Sequence, residues 1–183
     1  MIYQEKVVLL KNGETCLLRR AEESDAKMLI RYLKTVWGET RYLMREPDDI
    51  SLTVEKERRI LRERSESDTG LMLLAEVDGK HAGTASFDAM GKRNRASHRC
   101  SVGVTLYKAF WGMGIGTALL GEILRYAKIA GYEQAELEVV SGNGPAVGLY
   151  KKLGFEAIGT IPRALKYKDG TYADLLMMIK PLE

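Results

Sequence analysis

A cluster of glycines lies where this 183-residue chain could bind a phosphate. Residues 111–117 (WGMGIGT) join an apolar, strand-like run to a long helical pattern. The first N–H groups of a helix lack intrahelical partners and lie at the positive end of its dipole. Glycines there remove the Cβ atoms that would keep a phosphate away from those groups. The spacing favours a diphosphate-binding turn, with a flexible strand-to-helix connection as the alternative.

Two other phosphate-binding motifs fit this turn poorly. The chain has no G-x-x-x-x-G-K-[ST] segment, the signature of a P-loop nucleotidase. A dinucleotide fingerprint would need a third glycine where Thr117 stands, although Glu136 lies at the distance expected of a ribose-binding acid. Too little chain follows the turn for a six-stranded dinucleotide domain, so this interpretation is disfavoured.

A second group of polar residues follows the glycine turn. Asn143 begins a short helical pattern that Gly154 ends, and Tyr150 lies within it. Tyr150 could donate a phenolic proton or be a core tyrosine, and Asn143 could be only a helix cap. Glu138 lies on the preceding strand and shares a face with Glu136, because side chains alternate along a strand. A carboxylate there could accept a proton or simply face solvent.

The surrounding pattern predicts a mixed α/β sheet with helices on both faces. Asn12-Gly13 and Asp78-Gly79 are hairpin signals, so the strands around them pair antiparallel. From residue 101 onward, strands alternate with helices, which favours at least one parallel pair. The predicted strands cover 6–19 (two strands), 71–77, 81–87, 101–106, 135–140 and 155–160, and the predicted helices cover 26–37, 53–66, 115–130 and 145–152. The helix at 53–66 is expected on the surface near the substrate.

Composition excludes several classes of protein. The chain has 28 basic and 25 acidic residues, and a formal charge of +3 is too small to indicate nucleic acid or a membrane surface as the main partner. Two cysteines without C-x-x-C spacing and two histidines do not suit a metal site. The N-terminus does not resemble a signal peptide, and no apolar run could span a bilayer. We expect one domain over residues 1–183 in the reducing cytoplasm.

A basic segment precedes the strand at 101–106. It contains Lys92, Arg93, Arg95 and Arg99. A solvated turn is the simpler interpretation, and a contact to a phosphate or an acidic substrate is the alternative.

Taken together, the two motifs resemble a known family. The turn W-G-M-G-I-G-T followed by N-x-x-A-x-x-L-Y-x-K-L-G-F is similar to the GNAT superfamily of acyl-CoA-dependent N-acyltransferases, most clearly from about residue 101 to 159. The resemblance implies a mixed central sheet flanked by helices, with an acceptor-side half over 1–100, an acetyl-CoA-binding core over 101–160 and a C-terminal strand region over 161–183. It also allows a homodimer.

The resemblance assigns roles to individual residues. Tyr150 matches the general acid, and Glu138 matches the base of the ribosomal-protein alanine N-acetyltransferase branch. Trp111 departs from the pattern, which frequently has Arg or Gln at that position. The positions that match cofactor-binding residues are Val104, Thr105, Leu106, Gly112, Met113, Gly114, Ile115, Gly116, Thr117 and Asn143.

The implied function is transfer of an acetyl group from acetyl-CoA to a primary amine of a small molecule or peptide, by direct attack in a ternary complex. An amine with a pKa near ~10.4 is protonated at neutral pH, so a base is required. We expect the acceptor pocket around Tyr42, His98, Tyr107 and Tyr167. A non-catalytic acyl-CoA-binding module is the main rival, and a nucleic-acid-binding protein that uses the basic segment is the second.

Overall fold

The computed structural model describes residues 2–49, 51–91 and 94–183. Within these ranges the strands are β1 Lys6–Leu9, β2 Thr15–Arg20, β3 Gly70–Val77, β4 Lys80–Ala89, β5 Arg99–Leu106, β6 Gln134–Val140, β7 Glu156–Lys166 and β8 Tyr172–Pro181. The α-helices are α1 Ala26–Glu39, α2 Val54–Glu66, α3 Ile115–Ile129 and α4 Gly144–Lys152. The strands form one sheet in the order β1-β2-β3-β4-β5-β6-β8-β7.

The predicted hairpins are confirmed, and their turns have the backbone that the sequence requires. Gly13 has φ +86°, and Asp78 and Gly79 have φ +49° and +69°. Both central residues of the second turn are left-handed, which matches the right-handed twist of the strands that they join. β1 pairs with β2 and β3 pairs with β4, each antiparallel.

Apolar side chains of the inner strands point to both faces of the sheet, and helices cover both faces as predicted. Leu71 and Leu73 of β3 pack in one core with Leu119 of α3. Leu74 points the other way and packs with Leu29 of α1 and Leu61 of α2 in a second core. Because side chains alternate along a strand, the two cores lie on opposite faces. We call these the α3 face and the α1/α2 face.

A buried ion pair fixes the start of α1 to the sheet. The guanidinium of Arg19 on β2 donates hydrogen bonds of 2.8 Å to both carboxylate oxygens of Asp25, and its Nε donates to Glu76. Burial alone would raise the pKa of Asp25, but the hydrogen bonds from Arg19 and from the Glu22 N–H lower it below its ordinary value.

The C-terminal part of the chain extends the sheet further than the sequence predicted. β7 continues to Lys166 rather than ending near 160, and β8 inserts between β6 and β7, antiparallel to both. Leu175 and Met178 of β8 are buried, which explains why this apolar strand takes an inner position. Among the described residues, no helix has the length and apolar character needed to cross a membrane.

Candidate active site

The two strands at the centre of the sheet separate along their length and open a cleft. β5 and β6 pair in parallel only where Arg99–Ser101 lies beside Gln134–Glu136. Beyond that point β4 keeps its register with β5 as far as Leu106, and β8 keeps its register with β6 as far as Val140. The divergence leaves a cavity of about 960 Å³ between β5 and β6.

Backbone groups of β5 face this cleft without a partner strand. Along one strand of an antiparallel pair, every second residue exchanges backbone hydrogen bonds with the partner strand. The residues between them direct their N–H and C=O groups away from that partner. The N–H of Tyr107 donates to the Ala82 carbonyl at 3.0 Å, and the N–H of Met90 donates to the Arg99 carbonyl at 3.2 Å. The odd-numbered residues of β5 therefore bond to β4, and the backbone groups of Val104 and Leu106 point to the cleft.

Thr105 differs from its neighbours among the predicted cofactor-binding residues. Its carbonyl accepts a hydrogen bond from the Tyr32 hydroxyl, and the alternation directs its backbone to β4. Thr105 is nevertheless among the residues that line the cleft. Thr105 can therefore contact a ligand through its side chain but not through its main chain, whereas Val104 and Leu106 offer main-chain groups.

The glycine turn lies at the end of β5 and opens α3. Gly112 and Gly114 have φ +81° and +95°, a region that side chains rarely adopt, so glycine is required at both. The first intrahelical bond runs from the Ala118 N–H to the Gly114 carbonyl at 3.1 Å. The N–H groups of the three residues before Ala118, which are Ile115, Gly116 and Thr117, have no intrahelical acceptor.

Not every residue of the glycine turn lines the cleft. The lining includes Gly112, Gly114 and Thr117, together with Gly116. Ile115 is fully buried, and Met113 packs against the core of the α3 face. Met113 and Ile115 could therefore contribute to a ligand site only through their backbone amides, which suits a site built from main-chain donors.

Trp111 connects the glycine turn to β5. Its indole Nε1 donates a hydrogen bond of 3.1 Å to the Leu106 carbonyl, and 42% of the residue is exposed. This bond satisfies one of the carbonyls that the divergence of β5 and β6 leaves without a strand partner.

The short helix α4 brings Asn143 and Tyr150 to the cleft. The Asn143 side chain caps the helix by accepting the Ala146 N–H at 3.3 Å. Tyr150 is 7% exposed and its ring packs edge-on against Phe155 at 5.8 Å. Both residues line the cleft. Burial raises the pKa of Tyr150 to about 12, so its phenol is protonated at neutral pH.

Residues on both faces of the sheet line the cleft, with different chemistry on each face. The α3 face carries the glycine turn and Tyr150, which belong to the same core as Ile115. Leu137 and Val139 of β6 also point to that core, so Glu136 and Glu138 between them point to the α1/α2 face. A ligand that spans the cleft would meet backbone N–H groups at one end and carboxylates at the other.

The two carboxylates of β6 differ in their partners. Arg99 donates to Glu136 through Nε and through Nη2, the latter at 2.7 Å, and Gln134 donates at 2.8 Å. The hydrogen bonds from Arg99 lower the pKa of Glu136. The carboxylate of Glu138 is exposed and forms no hydrogen bond or ion pair with the described residues. Glu138 is the carboxylate left available to accept a proton.

The residues on the same face of the cleft as Glu138 match the predicted acceptor pocket only in part. Tyr42 lines the cleft, but His98, Tyr107 and Tyr167 do not, and Tyr107 instead packs against Tyr32 at 4.9 Å. No residue of α2 lines the cleft either, so the expected role of this helix beside the substrate is wrong. The other lining residues on this side include Leu43, Met44, Thr84, Ser86, Met90, Met177 and Ile179.

Contacts between two loops fix Arg41, the residue before Tyr42. The hydroxyl of Tyr167, in the β7–β8 connection, donates to the Arg41 carbonyl at 3.0 Å. The Arg41 guanidinium donates to Thr171 at 2.8 Å and lies 4.0 Å from the centre of the Tyr167 ring. Tyr167 therefore contacts the residue that precedes Tyr42 and is not part of the cleft wall.

Other residues singled out from the sequence lie away from the cleft or outside the described residues. Lys92 and Arg93 of the basic segment are not among the described residues, and Arg95 is exposed. Arg99 belongs to β5 and is neutralised by Glu136, so it does not join a basic surface. Cys100 is fully buried, and burial raises the pKa of its thiol to about 12.

Several lining residues were not predicted, and one of them is a lysine beside the glycine turn. Lys11, in the β1–β2 turn, lines the cleft beside Gly112 and Gly114. It is far from the glycine turn in sequence, and nothing in its local pattern signals a ligand.

Comparisons with known proteins agree with this geometry. The structure of a GNAT-family acetyltransferase from Streptococcus pneumoniae superposes with a TM-score of 0.87 at 33% identity, covering 91% of this chain and 99% of that chain. The L-amino acid N-acetyltransferase AaaT of Escherichia coli (strain K12) is 30% identical over 109 residues, covering 59% of this chain and 66% of that protein. An N-alpha-acetyltransferase of Sulfurisphaera tokodaii is 37% identical over 82 residues, covering 44% of this chain and 47% of that protein.

The alignments thus span two thirds or less of these two curated relatives. The family model described as Acetyltransferase (GNAT) family matches residues 30–155. This range contains β3 to β6, the glycine turn, α3 and α4. The chain belongs to the GNAT acetyltransferase family.

Proposed function

We propose that the protein is an N-acetyltransferase that transfers the acetyl group of acetyl-CoA to a primary amine of a small molecule or peptide. The observation that supports this most directly is the cleft between β5 and β6. It joins unpaired backbone donors on the α3 face to an available carboxylate, Glu138, on the α1/α2 face. Acetyl-CoA would enter from the first side and the amine from the second.

The residues of the cleft fit coenzyme A in chemical type. The free N–H groups at the start of α3 suit the diphosphate, because a helix N-terminus favours anions. The backbone of Val104 and the N–H of Leu106 suit the amides of the pantetheine arm, which can pair with them as a neighbouring strand would. Asn143 lies farther along the cleft and would contact the same arm while it caps α4.

The proposed chemistry is direct attack of the neutral amine on the thioester carbonyl. Glu138 accepts the amine proton, directly or through water. A backbone N–H of β5, from Val104 or Leu106, donates to the negative oxygen of the tetrahedral intermediate, a contact typically worth ~3 kcal/mol. Tyr150 donates its phenolic proton to the departing thiolate. The C–N bond forms when the amine adds to the carbonyl, the C–S bond breaks when the tetrahedral intermediate collapses, and no acyl-enzyme is involved.

The proposal also includes the cellular location and the oligomeric state of the protein. A reducing cytoplasm is consistent with Cys16 and Cys100, which are buried, free thiols. A homodimer is an expectation from the family resemblance.

Thermal-shift titration with acetyl-CoA tests the cofactor, since a ligand at about 100 times its dissociation constant adds ~2.7 kcal/mol of stability. A thiol-release assay with a panel of amines, including amino acids, peptides and polyamines, then tests the reaction. Stabilisation without thiol release from any amine would identify the non-catalytic acyl-CoA-binding module. Absence of stabilisation by acetyl-CoA, coenzyme A or longer acyl-CoAs would contradict the proposal as a whole.

A further inference from the structure

We infer that Lys11 of the β1–β2 turn is a ligand of the coenzyme A diphosphate. The inference rests on the proposed function, which places that diphosphate on the turn before α3. The turn itself has no charged side chain, since residues 111–117 are Trp, Met, Ile, Thr and three glycines. A side-chain cation at the diphosphate would therefore come from another element of the fold.

The β1–β2 turn is attached to the glycine turn through the backbone. The N–H of Lys11 donates to the Met113 carbonyl at 3.3 Å. The turn is also held internally, because the Leu10 N–H donates to the Glu14 carbonyl at 2.8 Å and the Gly13 N–H to the Leu10 carbonyl at 3.1 Å. Lys11 is therefore fixed next to the start of α3 by main-chain contacts that do not involve its ammonium.

The Lys11 side chain extends across the glycine turn. A Cβ atom built on Gly114 would lie 3.6, 4.0 and 3.9 Å from Cγ, Cδ and Cε of Lys11. The aliphatic stem thus covers the left-handed glycine, and Lys11 lines the cleft together with Gly112 and Thr117. Gly114, Gly116 and Thr117, at the start of α3, line the same cleft.

The charge of Lys11 is not used elsewhere among the described residues. No carboxylate in the described ranges forms an ion pair with it, whereas Lys6 on the same hairpin pairs with Glu122. The two carboxylates that line the cleft, Glu136 and Glu138, project to the other face. An ammonium and the positive end of a helix dipole therefore meet at one end of the cleft, which favours a diphosphate anion.

Binding measurements with charge variants test this assignment. We would titrate coenzyme A and dephospho-coenzyme A, which keeps the diphosphate but lacks the 3′-phosphate, into the wild type, Lys11→Gln and Lys11→Arg. Lys128→Gln is the matched control, because Lys128 is an exposed lysine in the last turn of α3, about 20 Å from its start at 1.5 Å per residue.

We expect Lys11→Gln to raise the dissociation constants of both ligands by about tenfold, which is the size of effect expected when a charge-assisted hydrogen bond is lost. The dissociation constants of Lys11→Arg should stay within about threefold of the wild-type values, because arginine keeps the charge. The difference between Lys11→Gln and the wild type should shrink when NaCl is raised from about 0.05 to 0.5 M, since salt screens the ammonium.

The outcomes separate this inference from the proposed function. A wild type that does not bind coenzyme A would contradict both. If the wild type binds coenzyme A and Lys11→Gln changes the affinity no more than Lys128→Gln does, only the role of Lys11 is overturned. A loss of affinity for coenzyme A but not for dephospho-coenzyme A would assign Lys11 to the 3′-phosphate and overturn the diphosphate contact.

Discussion

The indole Nε1 of Trp111 donates a hydrogen bond of 3.1 Å to the carbonyl oxygen of Leu106. This bond ties the glycine turn to the end of β5, where that strand no longer has β6 beside it. The Trp111 side chain thus helps to position the glycine turn, and it carries no charge that could bind a ligand. It also satisfies a carbonyl that would otherwise depend on water or on a bound ligand.

Replacement of Trp111 by Phe should weaken acetyl-CoA binding. Phe keeps most of the aromatic surface but cannot donate the hydrogen bond, so the position of the turn relative to β5 becomes less defined. We expect about a three- to tenfold rise in the dissociation constant, the range of one neutral hydrogen bond. Calorimetric titration with acetyl-CoA measures it, and an unchanged constant would show that the bond does not hold the turn in place.

Gly83 on β4 should not tolerate alanine. A Cβ there would lie 2.5 Å from the Thr105 carbonyl oxygen and 2.9 Å from the Leu106 Cα, so β5 would have to move. We expect Gly83→Ala to destabilise the fold by about 1–3 kcal/mol, as overpacking does, and to lower acetyl-CoA affinity. Gly103→Ala is the control for stability, because nothing lies within 4 Å of its Cβ position. Equal urea midpoints for the two variants would contradict this account.

Glu138→Gln should lower kcat by about 10²-fold or more, the usual effect of losing a positioned base. The ratio of wild-type to variant kcat should fall as the pH rises from about 7 to 9, because a larger fraction of an amine with pKa near ~10.4 is then already neutral. Steady-state rates at several pH values test both points. Glu156→Gln is a control at an exposed glutamate of β7 that does not line the cleft. Near-wild-type turnover in Glu138→Gln would assign the base role to another group.

Tyr150→Phe should depress kcat by about 10²-fold with little change in acetyl-CoA affinity. The fold should be retained, because Phe preserves the contact with Phe155. Burial raises the pKa of Tyr150 to about 12, so the wild-type phenol stays protonated and its titration cannot produce a loss of kcat below about pH 10. Full activity in the variant would show that Tyr150 serves only packing.

Asp25→Asn should destabilise the protein by about 2 kcal/mol at pH 7, because it weakens the charge-assisted bonds from Arg19. The pKa of Asp25 is lowered on folding, so its contribution is complete above its unfolded value of ~3.9 and is lost as the pH falls through the folded value. The difference between wild type and variant should therefore shrink below about pH 4. Urea unfolding at pH 7 and near pH 2.5 measures it, with Asp48→Asn as an exposed control.

Local features of this chain follow from the sequence alone. The turns at Gly13 and at Asp78-Gly79, the glycines before α3 and the caps at Thr53 and Asn143 depend on the backbone preferences of a few neighbouring residues. The alternation of Leu71, Leu73 and Leu74 likewise decides which side chains face each core. The motifs of the glycine turn and α4, read together, were sufficient to indicate the family that the comparisons show.

Only the tertiary structure decides which strands are neighbours and where they separate. The place of β8 beside β6, the divergence of β5 from β6 after Ser101 and the resulting cleft arise from packing between segments far apart in the chain. The same holds for the pairing of Arg99 with Glu136, which leaves Glu138 available, and for the approach of Lys11 to Gly114. Such contacts depend on the relative placement of whole elements, and no short stretch of sequence encodes that placement.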